Sequence, residues 1–208
     1  MKKISQLLVT ALSLALVACG TLGGGDTDMS NDPSFKQLKE ANVNFWKARE
    51  HAALCVGNNE EANKAKESAL AAQQATNPSD KSFDKSKEDS KNLFEGKAKI
   101  SSEKAKEEFE TSVVYFFKGF VSETKLAALL AQKVQQIQAS IQSASPMEKI
   151  NLTKQLSPLT AMLNIVQSDI SNAAGSIDAY TVYASENGID IASLKAKAEK
   201  DAEAAAMN

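Results

Sequence analysis

One spacing restricts this chain more than any other feature. Small and apolar residues recur at alternating intervals of three and four along three long stretches, a period that a helix buries on one face and a strand cannot. The first stripe is Leu38, Ala41, Phe45, Ala48, Ala52, Cys55, Asn58, Ala62, Ala65, Ala69, Ala72 and Thr76. It predicts one continuous helix from about Phe35 to Thr76, with a kink tolerated at Gly57. At ~1.5 Å per residue that helix is about 60 Å long. Asn77-Pro78-Ser79 stops it, and the charged stretch that follows reads as a weak, solvated helix or a loop.

The second stripe is Phe109, Val113, Phe116, Phe120, Glu123, Ala127, Leu130, Val134, Ile137, Ile141 and Ala144, broken only by Glu123. Its helix is predicted to start at Ser101 or Ser102. Ser145-Pro146-Met147-Glu148 has the form of a new helix start, with a serine cap, proline in the first turn and glutamate three residues on. The third stripe runs Leu152, Leu156, Leu159, Leu163, Val166, Ile170, Ala173, Ile177, Tyr180 and Ala184. Pro158 inside it predicts a kink or a restart near Ser157. Asn187-Gly188 ends it, and a shorter charged helix from Ile189 closes the chain. Long apolar stripes of this kind bury against each other at shallow angles. The fold class is therefore all-α: an elongated antiparallel helical bundle of three to four long helices with coiled-coil-like packing. Ser112 to Val121 is the one stretch with strand character, and it lies in helical register.

A different pattern governs the start. Lys2 and Lys3 precede an uncharged, mostly apolar run of 15 residues from Ile4 to Ala18. That is short of the ~20 needed to cross a bilayer as a helix, and it reads as a signal-peptide core. It ends Leu16-Val17-Ala18-Cys19-Gly20, which resembles the lipobox of bacterial lipoproteins. The resemblance covers only about 20 residues, the usual extent of a leader of this kind. It implies that Cys19 receives a diacylglyceryl group on its thiol, that cleavage occurs before it, and that its new amino group takes an acyl chain such as palmitate. Gly20, where the family carries Asp for inner-membrane retention, implies the outer membrane, with the periplasmic face expected over the cell surface. Residues 1–18 are then the leader, 19–33 the lipidated Cys with a flexible Gly-rich tether, and 34–208 a single helical domain.

Loss of Lys2 and Lys3 takes the formal net charge from −2 to −4 and leaves no basic block, which argues against nucleic-acid binding. Cys55 is the one cysteine besides Cys19. It reads as a small buried hydrophobe, with a disulfide-linked homodimer as the sharper reading in an oxidising compartment. His51 is the only histidine. It could pair with Cys55 toward a metal, or with Met147 or Met162 as haem ligands, but nothing completes a ligand set, and neither metal nor cofactor is expected. No Gly-x-Ser-x-Gly and no glycine-rich phosphate loop occurs, so a catalytic role is not expected.

The most suggestive segment is 113–121. Phe116 and Phe120 lie on the main stripe, while Val114, Phe117 and Val121 form a second one, so the helix must be covered from two sides. The bland reading is an aromatic core layer covered by Phe45, Trp46 and the C-terminal helix, with Gly119 allowing close backbone approach. The functional reading makes Val114, Phe116, Phe117, Phe120 and Val121 a partner- or ligand-binding patch. The glutamine-rich stretch 132–142 reads as a solvated face. Together these point to a non-catalytic outer-membrane lipoprotein acting as a tethered helical binding or scaffold protein of the envelope, anchored through Cys19 and holding a protein partner. The alternatives are a surface-exposed lipoprotein that binds a host or environmental molecule, and a carrier of an apolar ligand.

Overall fold

The structure, a computed structural model, describes residues 28–80, 83 and 91–206. The leader, Cys19, most of the tether and most of the charged stretch after Asp80 lie outside the described residues. Six helices occur among the described residues, and no strand: α1 (Pro33–Cys55), α2 (Asn59–Gln74), α3 (Lys91–Phe94), α4 (Glu103–Ser143), α5 (Pro146–Glu186) and α6 (Ile191–Ala206). The chain is an all-α helical bundle. At ~1.5 Å per residue, α4 and α5 are each about 60 Å long and α1 about 35 Å.

The helix starts follow local chemistry. The Asp32 carboxylate accepts the Phe35 N–H at 3.0 Å, with Pro33 opening α1. The Ser102 hydroxyl accepts the Ala105 N–H at 3.1 Å at the head of α4. At the α4–α5 corner, Glu148 accepts from the backbone N–H of Ser145 at 2.8 Å and from its hydroxyl at 2.6 Å. These contacts satisfy donors that a helix start leaves without a partner. α5 ends at Glu186, just before Asn187-Gly188.

The continuous first helix is corrected to a hairpin. Val56 caps α1, Gly57 takes φ +73°, and the Asn58 side chain caps α2 by accepting the Glu61 N–H at 3.2 Å. The left-handed backbone at Gly57 is open to glycine at little cost and reverses the chain. The arms are stitched by Arg49 Nε to Glu61 Oε1 at 2.6 Å, and by Lys39 Nζ to the carbonyls of Gln73 and Ala75 at 3.2 Å each. Ala65, Ala69 and Ala72 of α2 bury against Trp46 on α1. The unbroken period misled because each arm has its own inward stripe and the turn joins the two in phase. The 60 Å length belongs to α4 and α5 instead, at ~1.5 Å per residue.

α1 runs antiparallel to α4: Ser112 meets Ala48 near one end, and Lys133 Nζ donates to the Ser34 hydroxyl at 2.8 Å near the other. α6 returns along α4, with Lys195 Nζ 5.7 Å from the centre of the Phe117 ring. Met29 belongs to the fold, ahead of the boundary read at Ser34. Its N–H donates to Thr76 O at 2.7 Å and its side chain joins Phe35, Leu130 and Val134. α5 passes through Pro158 without a restart. The proline deprives the Lys154 carbonyl of its donor, but Lys154 is exposed and water can serve that carbonyl.

Candidate functional site

The segment expected to bind a partner is largely core. Phe116 and Phe117 are 3% and 4% exposed; Val114, Phe120 and Val121 are half-buried. Phe116 packs edge-on against Phe45 at 5.7 Å and lies 4.9 Å from the Tyr180 ring. Phe109 and Phe94 extend the layer toward Tyr183. Phe45 and α6 cover it as expected, whereas Trp46 faces α2 on another side. Gly119 is the close approach: a Cβ there would meet Ala41 O at 3.1 Å and the Phe45 ring at 3.2 Å. A ligand around Phe116 would have to displace rings already in contact.

A hydroxyl node sits in the same layer. Ser112 Oγ lies 2.6 Å from Ala48 O, to which it donates, and 2.6 Å from the Tyr180 hydroxyl. Ser112 and Tyr180 are fully buried, so this node ties α1, α4 and α5 at one level.

Cys55 is 9% exposed, and burial pushes its thiol up to about 11 against a hydrogen bond with Tyr183 that acts to lower it. The Tyr183 phenol rises to about 12, again chiefly through burial. Both border an open groove of about 490 Å³ formed with Lys97, Ile100, Lys104 and Glu108. A thiol held protonated in this way is a poor nucleophile. His51 Nδ1 lies 2.6 Å from Glu108 Oε2, and its ring stacks on Tyr115 at 5.6 Å. Met147 lies at the far end of α4, about 50 Å away at ~1.5 Å per residue, and the fully buried Met162 about 30 Å away, so neither is an axial partner. Among the described residues no three His, Cys, Asp or Glu side chains converge as a metal site.

Glu123, the residue that broke the second stripe, is fully buried and acts with Asp169 of α5. Neither of its oxygens meets strict hydrogen-bond geometry, but Asp169 is close enough to act on it. Burial first, then the charge of Asp169 and a hydrogen bond to it, hold the Glu123 carboxyl well above the usual range. Two carboxyls buried together in this way favour retention of a proton by the pair. The sequence marked Glu123 as an exception but gave no reason to pair it with Asp169, which lies one place off the third stripe.

The remaining feature is an arm. α4 and α5 continue past Val134 and Leu159, beyond the N-terminal end of α1, and no residue from 135 to 158 is buried. Ile137, Ile141, Leu152 and Leu156 are half-buried between the two helices of this hairpin, while Met147 and Ile150 at its apex are 73% and 55% exposed. Between Lys125 and Asp169 only Lys133, Glu148, Lys149 and Lys154 carry charge. Glu148 is tied to Ser145, which holds its carboxyl below the usual range. The arm is thus a charge-poor, glutamine-rich projection from a body rich in charge. A count of charges along 126–168 would have found it in the sequence. No family model, no curated protein and no solved structure matches this chain.

Proposed function

We propose that this chain is a non-catalytic, lipid-anchored protein of the outer membrane that holds another envelope component through its projecting α4–α5 hairpin. The observation that carries this reading is the arm: a two-helix projection with no buried residue from 135 to 158 and few charges. A surface kept poor in charge and rich in amide and hydroxyl groups suits a partner that must desolvate it. Ser112, Tyr180, His51 and Cys55, the body's chemistry-bearing side chains singled out above, are each engaged in packing or structural hydrogen bonds. The lipid is assigned to Cys19 on the lipobox resemblance.

The test places a photoreactive residue at Gln135 or Gln142 on the arm, and at Lys66 on the body, in cells that process the full chain. A discrete protein adduct from the arm positions, absent from Lys66, supports the reading, and its absence from both arm positions removes it. The surface-displayed alternative predicts that protease added to whole cells cleaves the domain, whereas the periplasmic reading predicts protection until the outer membrane is opened. An apolar-ligand carrier predicts bound lipid in a native mass spectrum.

A further inference from the structure

We infer that the apex of the hairpin, through Met147, Lys149, Ile150 and Lys154, rests on the same lipid leaflet that holds the anchor. The inference relies on the lipid at Cys19 proposed above.

Met29 is fixed beside Thr76, Phe35 and Val134, at the end of the body from which the arm projects. Because α4 runs antiparallel to α1, its last ten residues continue past the level of Met29, the end of the body at which the anchor-bearing residues join the fold. Ten residues of helix project about 15 Å. From Cys19 to Met29 the chain includes Gly20 and Gly23-Gly24-Gly25. Ten residues of such composition span roughly 17 Å by the square-root rule for Gly-rich chains. A reach of that size from Met29 is enough for a lipid at Cys19 and the apex to meet one plane.

The chemistry of the apex suits that plane. Met147 and Ile150 are the two most exposed large apolar side chains at this end, at 73% and 55%. Lys149 and Lys154 are exposed, form no ion pair among the described residues, and stand where the only acid, Glu148, is turned back onto Ser145. Apolar side chains entering the acyl boundary while lysines reach phosphate headgroups is the pattern of interfacial binding. So small an apex binds weakly alone. The tether raises its local concentration at the leaflet enough to keep it seated.

The test uses lipidated full-length protein reconstituted in vesicles of phosphatidylethanolamine and phosphatidylglycerol. Intact mass and flotation first establish the lipid. A polarity-sensitive label is then placed at Met147→Cys and, as a control on α2, at Lys66→Cys; the buried thiol of Cys55 stays unlabelled. Emission at 147 should shift to the blue and be quenched by nitroxide lipids, and iodide quenching there should fall severalfold, with none of these changes at 66. Iodide access at 147 equal to that at 66 overturns the inference. So does a label that stays in water on pure lipid and is shielded only in whole envelopes, which would assign the apex to a protein. A chain that carries no lipid overturns the anchoring reading alone. The apex is then judged on that chain at high lipid: quenching at 147 retains the inference, and full exposure ends it.

Discussion

Replacing Glu123 by glutamine removes an ionisable group from the middle of the bundle while keeping its shape and a donor toward Asp169. In the wild type the folded carboxyl is held protonated well above the 4.5 of an ordinary glutamate. Below pH 4.5 both folded and unfolded chains carry the proton, and the contribution to stability is fully present. As pH rises from 4.5 toward the folded value, the native state holds a proton that the unfolded chain has released. Stability then falls, at the steepest by about 1.4 kcal/mol per pH unit. The glutamine side chain has no proton to release, so the variant lacks this loss. For a domain of this size ~1 kcal/mol corresponds to roughly 2–4 °C in Tm. The advantage of Glu123→Gln over wild type should therefore widen by about 3–5 °C per pH unit above the ordinary glutamate value until Glu123 itself ionises. The exposed acids Asp28, Glu60 and Glu148, all held below their usual range, act in the opposite sense. They are common to both proteins and cancel in the difference. Thermal melts followed by circular dichroism from about pH 4 to about pH 7.5 would measure it. Two parallel Tm-versus-pH curves would refute the reasoning, because they would mean that Glu123 titrates in the folded protein as it does in the unfolded chain.

Ser112→Ala should cost about 1–3 kcal/mol in urea unfolding, since it strips partners from both Ala48 O and the buried Tyr180 hydroxyl. Tyr180→Phe should cost less, because Ser112 keeps its bond to Ala48, and the double variant should show non-additivity. Gly119→Val should destabilise by about 1–3 kcal/mol, as its Cβ meets the Ala41 carbonyl at 3.1 Å and the Phe45 ring at 3.2 Å. With its thiol at about 11, Cys55 should react with a disulfide reagent at about pH 8 only when the chain unfolds, its folded thiolate fraction being roughly one in a thousand. Immediate reaction in native buffer would contradict the burial.

Helical class, the caps at Ser102 and Ser145 and the end at Asn187 were legible because period and capping are local properties. The hairpin at Gly57 was not. A three-four register does not record whether the chain reverses, and the tolerated cost of a helical glycine hid the one residue that makes the reversal. The segment 113–121 was recognised as covered on two sides, which is what the structure shows. Phe45 and the C-terminal helix are expected over it from the sequence; that Tyr180 joins them and Trp46 does not follows from long-range pairing, which no window of sequence contains. The Glu123–Asp169 pair was invisible for the same reason: the two residues are distant in the chain and meet only because α4 and α5 fold back at Ser145. The apex was half visible. Met147 reads in the sequence as a sulfur ligand, and only the α4–α5 corner makes it an exposed apolar side chain.

The hydroxyl node at Ser112 has a further consequence for how the helices are indexed. The alanines of the α1 stripe are nearly uniform rails: Ala41, Ala48 and Ala52 present similar small bumps, so they alone would not resist a slide of α1 along α4 by one turn, about 5.4 Å. A slip of that size would carry Ala48 O away from Ser112 and bring a different turn of α1 over Gly119. The first change takes the Ala48 carbonyl from the buried Ser112 hydroxyl, and the second loses the one position where a carbonyl fits without a Cβ beneath it. Polar groups inside such rails act as a detent, fixing one setting among several of nearly equal packing.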